Sequence, residues 1–173
     1  MCYLFFMMNL VTNIDRRPRP SSVALVPGRR VHLIDIENLC GSNRPSQAQV
    51  ELARTRYEDC VHVDSMDLVI VASAYGNLMN AALGWPDARY LCADGKDGAD
   101  ICLAEVIVEE GVCERFESVV LASGDGGFAP FIAHLAGRGL DTTVVSQSGS
   151  LSRQLRMAAH KCFVLSPEIE ESA

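Results

Sequence analysis

Three aspartates stand where a carboxylate side chain can take part in chemistry. Asp35 ends the apolar run 31–34, Asp125 lies in a glycine-rich segment after the apolar run 119–122, and Asp100 interrupts the apolar face of a helical pattern. A carboxylate in apolar surroundings needs a partner or a cation to offset its desolvation. Three hard oxygen donors suit Mg²⁺ or Mn²⁺, which proteins bind through a few carboxylates together with water and phosphate oxygens.

Such a cluster predicts hydrolysis of phosphodiester bonds. Divalent cations assist the attack of a water on the phosphorus because they neutralise charge on the nonbridging and leaving oxygens. The 4 histidines have no zinc-ligand spacing, and no nucleophile elbow is present, so neither zinc chemistry nor serine hydrolysis is indicated. The net charge of −7 argues against a broad basic surface for nucleic acid, although a carboxylate site that binds cations is itself acidic.

Each of these motifs also has a purely structural interpretation. Asp35 could cap the segment that follows it. The glycine-rich loop around Asp125 could cradle a phosphate before a helix, although it lacks the GxGxxG spacing and a GK[ST] ending. Asp100 would also be favoured by the helix dipole in a first turn. The residues alone leave these alternatives open.

Three further residues are candidates for supporting the aspartates. Asn38 follows Asp35 closely and offers an amide oxygen to an ion or a water. Ser123 precedes Asp125 at the end of its apolar run. Glu105 falls at the edge of the apolar face that contains Asp100, which makes it a weak candidate ligand.

The elements that would position these residues alternate along the chain. From residue 30 onward, short runs rich in β-branched residues alternate with helical patterns, which predicts a parallel sheet covered on both faces. The predicted strands are Val31–Ile36, Leu68–Ser73, Ala88–Cys92, Ser118–Ala122, Thr142–Ser146 and Cys162–Leu165. The predicted helices are Pro45–Glu58, Asn77–Leu83, Ala99–Glu110, Ala129–Arg138 and Leu151–Ala159.

This alternation predicts a single α/β domain of three layers, doubly wound and Rossmann-like, with a mostly parallel sheet of about five or six strands. The first strand is expected at the centre with the fourth beside it. In such sheets ligands bind beyond the carboxyl ends of the strands, where the strand order reverses. Asp35 and Asp125 are therefore expected to meet at one rim of the sheet.

The order of the motifs resembles the NYN domain branch of the PIN-like nucleases. In that family a first strand ends in Asp with Asn shortly after it, a helix starts with a Lys-Gly-x-Asp-like motif, and a later strand ends in Ser-Gly-Asp before Phe and a helix. The corresponding residues here are Asp35 with Asn38, Lys96 with Asp100, and Ser123-Gly124-Asp125 with Phe128. The resemblance covers residues 31–165 and implies a PIN-like fold.

The resemblance also implies a metal-dependent ribonuclease with RNA as substrate and Mg²⁺ or Mn²⁺ as cofactor. Asp35, Asp100 and Asp125 would be its catalytic and metal-binding residues. The chain departs from the family at Gly127, where a second acid is common, and in its third helix, where only Glu105 stands and off the expected register. These departures predict a weaker metal site or one ion in place of two.

A substrate face is predicted on the last helix and the loop before it. Arg153, Arg156 and His160 share one side of that helical pattern, and a run of serines precedes them. The alternative is a solvated helix side. Phe128 is expected in the core and not as a base-stacking residue. The predicted phosphate contacts are Lys96, Ser146, Ser148, Ser150, Arg153 and Arg156.

The two ends of the chain are expected to lie outside the domain at residues 30–166. Residues 1–29 are interpreted as a poorly ordered extension or a start-site artefact, and residues 167–173 as a short acidic tail. The apolar run 1–11 is too short to span a bilayer and lacks a positive n-region. The 7 cysteines form no CxxC pair and are expected to be reduced and mostly buried in a cytoplasmic protein without a membrane partner.

Three functions are therefore carried forward: a metal-dependent ribonuclease, a nuclease-dead module that binds RNA or protein, and a phosphatase-like or small-nucleotide enzyme. Against the last, a haloacid-type phosphatase would need a second Asp two residues after the first, but Asp35 is followed by Ile36 and Glu37. Gly127 favours the nuclease-dead module. A homo-oligomer is left open.

Overall fold

A computed structural model describes residues 28–95 and 97–165, and these form one sheet with helices on both faces. The strands are β1 (Arg30–Asp35), β2 (Leu68–Ala74), β3 (Arg89–Ala93), β4 (Ser118–Ala122), β5 (Asp141–Gln147) and β6 (Lys161–Leu165). The helices are α1 (Ile36–Cys40), α2 (Gln47–Cys60), α3 (Leu78–Gly84), α4 (Gly98–Glu109), α5 (Val112–Arg115), α6 (Ala129–Gly137) and α7 (Arg153–Ala158). Two 3₁₀ turns cover Tyr75–Asn77 and Gly126–Phe128.

The sheet order is β3-β2-β1-β4-β5-β6, and every neighbouring pair is parallel. The predicted doubly wound α/β fold is therefore confirmed, with β1 inside the sheet and β4 beside it. The chain winds outward to one edge through β2 and β3 and to the other edge through β4, β5 and β6. The order reverses between β1 and β4, which is where such sheets bind ligands.

Alternating strand residues build two separate cores. Val31 and Leu33 of β1 pack with buried residues of α4, α6 and α7 on one face. Ile34 of β1 packs on the other face with residues of α1, α2 and α3. Because successive strand side chains point to opposite faces, the run of apolar residues in β1 fills both layers. Phe128 is fully buried in the first core, as predicted.

Helix caps explain most differences from the predicted boundaries. The helix expected from Pro45 begins at Gln47 because Ser46 and Gln49 form a capping box, with reciprocal contacts between side chain and backbone. The helix expected from Leu151 begins at Arg153 because the Ser152 side chain accepts a hydrogen bond from the Leu155 backbone N–H.

Two short helices were not predicted. Helix α1 has only 5 residues, and it exists because Asp35 caps its start and Gly41, at φ 63°, ends it in the left-handed conformation. The predicted first strand consequently stops at Asp35 and does not include Ile36. Helix α5 has 4 residues and follows Gly111, also at φ 63°. Helices this short lack the periodicity that would predict them.

The cysteines were expected to be mostly buried, and that prediction is wrong for the described part of the chain. Six of them form no disulfide, five being of intermediate exposure and Cys60 exposed. Cys40, Cys102, Cys113 and Cys162 are partly buried and pack against the cores. Within residues 28–95 and 97–165, no helix has the length and apolar character needed to cross a membrane.

A buried polar network lies on β1, away from its carboxyl end. His32 is fully buried, with Nδ1 2.6 Å from the Tyr57 hydroxyl and Nε2 3.1 Å from Asp67 Oδ2. Arg30 pairs with the same Asp67 oxygen at 2.8 Å. Burial lowers the pKa of His32 below 6.5, and it outweighs the opposing effect of Asp67. His32 is therefore neutral in the folded protein at neutral pH, with Nε2–H donating to Asp67.

This network gives the folded protein a dependence on pH that a single substitution isolates. Below pH 6.5 the unfolded chain binds a proton at His32 more readily than the folded chain does, so the contribution of this network to stability falls as the pH falls. The slope is at most about 1.4 kcal/mol per pH unit for one proton. In urea unfolding from pH 7.5 to pH 5, we expect the stability difference between wild type and His32→Gln to shrink towards acid pH.

Other titrating groups are common to both proteins and cancel in that difference. The matched control is His62→Gln, because His62 is exposed and lies outside the core. The control should keep the slope of wild type. A His32→Gln protein whose stability stays parallel to wild type across this pH range would contradict a neutral buried His32.

Candidate metal centre

The carboxyl end of β1 places Asp35 beneath α4. Asp35 lies on the same side of β1 as Val31 and Leu33 because side chains alternate along a strand, and that side is the one covered by α4. The side chain is nearly enclosed, with 5% of the residue exposed. A carboxylate is thus held at the end of a buried strand, at the reversal of the strand order.

Two donors orient the Asp35 carboxylate. The Asn38 backbone N–H donates to Oδ1 at 3.2 Å, and the Ser123 hydroxyl donates to Oδ2 at 3.2 Å. The first contact makes Asp35 the N-cap of α1, so the interpretation of this residue as a cap is correct. Capping α1 does not prevent Asp35 from taking part in a site, because only Oδ1 contacts α1. Oδ2 is bonded to Ser123, which follows β4.

The loop after β4 is tied to the start of α1. Asn38 Oδ1 accepts the Gly124 N–H at 2.8 Å, and the Asp125 N–H donates to Ser123 Oγ at 3.2 Å. Asp125 Oδ1 accepts the Gly127 N–H at 2.7 Å and caps the 3₁₀ turn that follows. Asn38 therefore acts through the backbone of this loop, and the Asp125 side chain is left exposed at the rim.

Gly124 is required by close packing and not by an unusual backbone angle. A β-carbon at this position would lie 2.4 Å from the Ser150 carbonyl oxygen and 2.6 Å from Ser146 Oγ. Neither Gly124 nor Gly126 has a positive φ. The absence of a side chain at Gly124 therefore lets the β4 loop touch the loop after β5.

Helix α4 brings Asp100 to the same rim. A β-carbon on Gly98 would lie 2.5 Å from the Ala93 carbonyl oxygen, so the glycine lets α4 start directly against the end of β3. Asp100 stands in the first turn of α4 and is 9% exposed. The predicted apolar face of this helix is confirmed by buried Leu103, Ala104 and Ile107.

The charges of the two enclosed aspartates are strongly disfavoured. Burial raises the pKa of Asp35 to about 6, and Glu37 adds to the effect, whereas hydrogen bonds from Asn38, Ser123 and Asp100 oppose it. Burial raises the pKa of Asp100 to about 8, and the neighbouring carboxylates of Asp35, Asp125 and Asp97 raise it further. The contact between the two carboxyl groups lowers the pKa of Asp35 and raises that of Asp100.

One pocket of about 270 Å³ collects the predicted aspartates. It is open on one side and bounded by the loop at residues 41–43. The polar residues that line it include Asp35, Glu37, Asn38, Asp97, Asp100, Asp125 and Ser150. The three aspartates were expected to lie together, and this arrangement agrees with that expectation. Asp35 comes from β1, Asp125 from the loop after β4, and Asp100 from α4.

The donor set fits a hard divalent cation in part. Among residues 28–95 and 97–165, no three His, Cys, Asp or Glu side chains are arranged to hold a metal ion together. Mg²⁺ does not require such a cage, since it is commonly bound by one or two carboxylates and keeps several waters. Two buried, mutually repelling carboxylates are stabilised by a cation between them, and Asp35 with Asp100 provides that pair.

The structure does not bring Glu105 or Ser146 to this pocket. Glu105 is exposed and lines a separate depression with Arg89 and Leu91, because five residues of helix carry it well round from Asp100. Ser146 is fully buried under Gly124, where the alternation of β5 directs it into the protein. Both predictions are corrected.

The other predicted phosphate contacts lie in different places. Ser150 is exposed and lines the carboxylate pocket, whereas Ser148 is exposed beside it. Arg153 and Arg156 are exposed on α7 and line neither the pocket nor the depression next to Glu105. His160 lies beyond the end of α7, where its Nδ1 accepts the Thr142 N–H at 3.2 Å. Lys96 lies outside the described residues.

Two acids of the pocket were missed as site residues. Asp97 precedes α4 and adds to the repulsion on Asp100. Glu37 Oε1 accepts the Ala74 N–H at 2.8 Å and an Asn77 amide N–H at 2.7 Å, so it ties α1 to the end of β2. The signal for Glu37 was its position between Asp35 and Asn38 in the same short motif.

Removing the charge of Asp100 should stabilise the protein when no metal is present. The pKa of Asp100 is raised from 3.8 to about 8, so the folded state keeps a proton that the unfolded state loses. The contribution of Asp100 to wild-type stability in EDTA should therefore fall as the pH rises from 4 to 8. We expect Asp100→Asn to be more stable than wild type at pH 8, with an advantage that shrinks towards pH 5, in urea unfolding.

The matched control for that measurement is Asp59→Asn, which removes one charge from an exposed position on α2. It should follow wild type across the same pH range. An Asp100→Asn protein that is less stable than wild type at pH 8 in EDTA would show that the Asp100 carboxylate is held by a favourable partner instead of by repulsion.

Comparisons with known proteins agree with the fold and identify the family. A solved structure of a protein of unknown function from Vibrio parahaemolyticus aligns with a TM-score of 0.55 and 15% identity, over 80% of this chain and 93% of that chain. At this identity the likeness shows the fold alone. A search of curated proteins gave no significant match. The family model described as NYN domain matches residues 31–166. Because that match covers most of the chain, the protein belongs to the NYN domain family, a family of PIN-like nuclease domains.

Proposed function

We propose that the protein is a ribonuclease that hydrolyses RNA phosphodiester bonds with Mg²⁺ or Mn²⁺ at the pocket of Asp35, Asp100 and Asp125. The observation that carries the proposal is the burial of Asp35 and Asp100 together, with Asp125 exposed beside them, in one open pocket. Membership of a nuclease domain family supports the same reaction. The pocket lies at the reversal of the strand order, where ligands of such sheets bind.

The buried and the exposed aspartates of the pocket would have different roles. Asp35 and Asp100 would hold the cation, and Asn38 and Ser123 fix the orientation of the Asp35 carboxylate. The exposed carboxylate of Asp125 faces the open side of the pocket, where it can accept a hydrogen bond from a water that attacks the phosphorus. A bound divalent cation would neutralise charge on the phosphate and promote ionisation of a water.

The open shape of the pocket agrees with a polymeric substrate. The pocket is bounded by exposed residues on one side, including Ser150, and no described segment closes over it. A strand of RNA could therefore enter and leave along the rim without an opening of the protein. We expect the protein to act in the cytoplasm.

A nuclease-dead RNA-binding module is the second candidate. Two observations favour it: a glycine at position 127, where an acid is common in the family, and the absence of a closed set of three ligands among the described residues. Both candidates predict RNA binding. They differ in whether the bound RNA is cut.

Cleavage of labelled single-stranded and structured RNA, with Mn²⁺, Mg²⁺ or EDTA, separates the two candidates. We expect cleavage with either cation, none in EDTA, and a loss of about a hundredfold or more in Asp125→Asn. Because Asp125 is exposed, the variant should stay folded. The matched control is Asp59→Asn, which should cut RNA like wild type.

RNA that is bound but not cut by wild type under any of these conditions would favour the nuclease-dead module. Cleavage that survives EDTA, or that Asp125→Asn retains, would remove this pocket as the centre of the reaction. Thermal unfolding of each variant distinguishes a lost reaction from a lost fold.

The exposed arginines of α7 remain predicted phosphate contacts and can be tested separately. If Arg153 and Arg156 bind the RNA backbone, reversing both to Glu should weaken RNA binding for all sequences and flatten its dependence on salt, because fewer counterions are released. Affinity is measured by fluorescence anisotropy at several salt concentrations. An unchanged affinity and an unchanged salt slope would remove α7 from the path of the RNA.

A further inference from the structure

A second cavity, of about 430 Å³, lies between α2 and the loop after β5. One wall is a stripe of α2 made by Gln49, Leu52, Ala53 and Arg56. These positions recur every three or four residues, so they share one side of the helix and extend about 10 Å along its axis. We call this cavity the α2 groove.

The opposite wall of the α2 groove is held rigidly. It contains Gln147, Ser148 and Ser150. The Gln147 amide donates to the Leu39 carbonyl oxygen at 2.7 Å, and the Ser150 N–H closes a turn on the Gln147 carbonyl oxygen at 3.1 Å. The wall is therefore hydrogen-bonded to α1, and its two serines are exposed along the groove.

The α2 groove adjoins the carboxylate pocket. Gly41 and Ser150 line both cavities, so the two lie side by side at these residues. Gly124 packs under Ser150, which places this shared boundary directly beside the loop that carries Asp125. A strand that occupies the pocket has the α2 groove as a path away from it.

Arg56 supplies a cation in the α2 groove that the folded chain does not use. Within residues 28–95 and 97–165 its guanidinium has no ion pair and no hydrogen bond, although it is half-buried. By contrast Arg54, on the same helix, pairs with Glu58 at 2.7 Å. A planar guanidinium in a groove offers two parallel N–H donors, which match the geometry of a phosphate.

The thiol in the floor of the groove is not reactive. Burial raises the pKa of Cys40 to about 12, with Glu37 and Asp35 adding to the effect, and its Sγ lies 3.7 Å from the Gln49 carbonyl oxygen. A protonated thiol of this kind is a poor nucleophile. The groove is thus suited to binding through Arg56 and the polar groups of its walls, without covalent chemistry of its own.

We propose that the α2 groove binds the RNA strand next to the bond that is cut, with the Arg56 guanidinium on a backbone phosphate and Gln49 and Ser148 on neighbouring polar groups. The proposal rests on RNA being the substrate of the carboxylate pocket. It assigns a binding role to a surface that is separate from the α7 arginines. It would also give an acidic protein a contact for RNA, because the Arg56 guanidinium lies beside a pocket whose carboxylates repel phosphate.

The test measures RNA affinity without cleavage. The Asp125→Asn protein serves as the reference, and it is compared with the double variant that also carries Arg56→Ala. Both are titrated with fluorescent single-stranded RNA in EDTA at several salt concentrations. We expect Arg56→Ala to bind about tenfold more weakly, the effect of losing a charge-assisted contact. The slope of log affinity against log salt should fall by about 0.7, the value for one phosphate of a single strand.

The matched control is Arg54→Ala in the same background, which removes an equal charge from the same helix. Its affinity should stay within about twofold because Arg54 is engaged in a surface ion pair. A second readout maps position directly: 4-thiouridine RNA should crosslink to the peptide that contains residues 49–56. Crosslinking to this peptide should decrease in Arg56→Ala and persist in Arg54→Ala.

The outcomes separate this proposal from the proposed reaction. RNA that is bound with the Arg56 dependence but never cut by wild type would support the groove and contradict the nuclease. In another outcome, wild type cuts RNA, and the Arg56→Ala change leaves affinity, salt slope and crosslinking unaltered. That result would overturn the proposal that the α2 groove binds RNA and would leave the proposed nuclease reaction in place. Equal losses in the Arg54 and Arg56 variants would also overturn it, since net charge alone would then explain binding. A protein that binds no RNA, or whose groove takes an acidic peptide instead, overturns it as well.

Discussion

The repulsion between two enclosed carboxylates, Asp35 and Asp100, is the constraint on which the rest of the site depends. Burial disfavours the charges of both groups, and the Asp35 carboxylate makes the charge of Asp100 less stable still. The surrounding contacts do not cancel that repulsion; they hold the two groups in place despite it. Gly98 lets α4 approach β3, and Ser123 and Asn38 hold Asp35 and the β4 loop. A positive charge between the two groups would offset the burial of their carboxylates, and this is the physical reason for proposing a cation there.

The fold and the three aspartates could be predicted because each depends on one simple rule. Parallel strands end at a common rim, which placed Asp35 and Asp125 together, and an acid on an apolar helix face marked Asp100. The errors concern the directions in which single side chains point. Glu105 was expected near Asp100, but a helix turns about 100° per residue and five residues carry Glu105 to another side. Ser146 was expected to contact phosphate, but the alternation of the strand buries it under Gly124. Helix α1 could not be predicted from periodicity, since 5 residues held by two caps have none.

Arg56 illustrates a different limit. On α2, Arg54 has Glu58 four residues later, whereas Arg56 has Cys60 at that spacing and Leu52 on the other side. Arg56 also has Asp59 three residues later, so only the structure shows that this arginine forms no ion pair within the described residues. The meaning of that finding depends on what stands opposite the helix. Only the tertiary structure shows that β5 ends across from α2 and that the loop after it borders the carboxylate pocket. A cation without a partner becomes informative when the fold places it beside a site with too much negative charge.

The position of each strand in the sheet has a consequence for how the site opens. β1, which carries Asp35, is hydrogen-bonded on both sides, whereas β3, which leads into α4 and Asp100, is an edge strand bonded only to β2. Edge units exchange their amide hydrogens through local openings that leave the central strands intact. A transient release of β3 with the start of α4 would withdraw Asp100 and leave Asp35 and Asp125 in place. If Asp100 helps to hold the proposed cation, the affinity for that cation would depend on the local stability of this edge of the sheet, which the amide exchange of β3 reports.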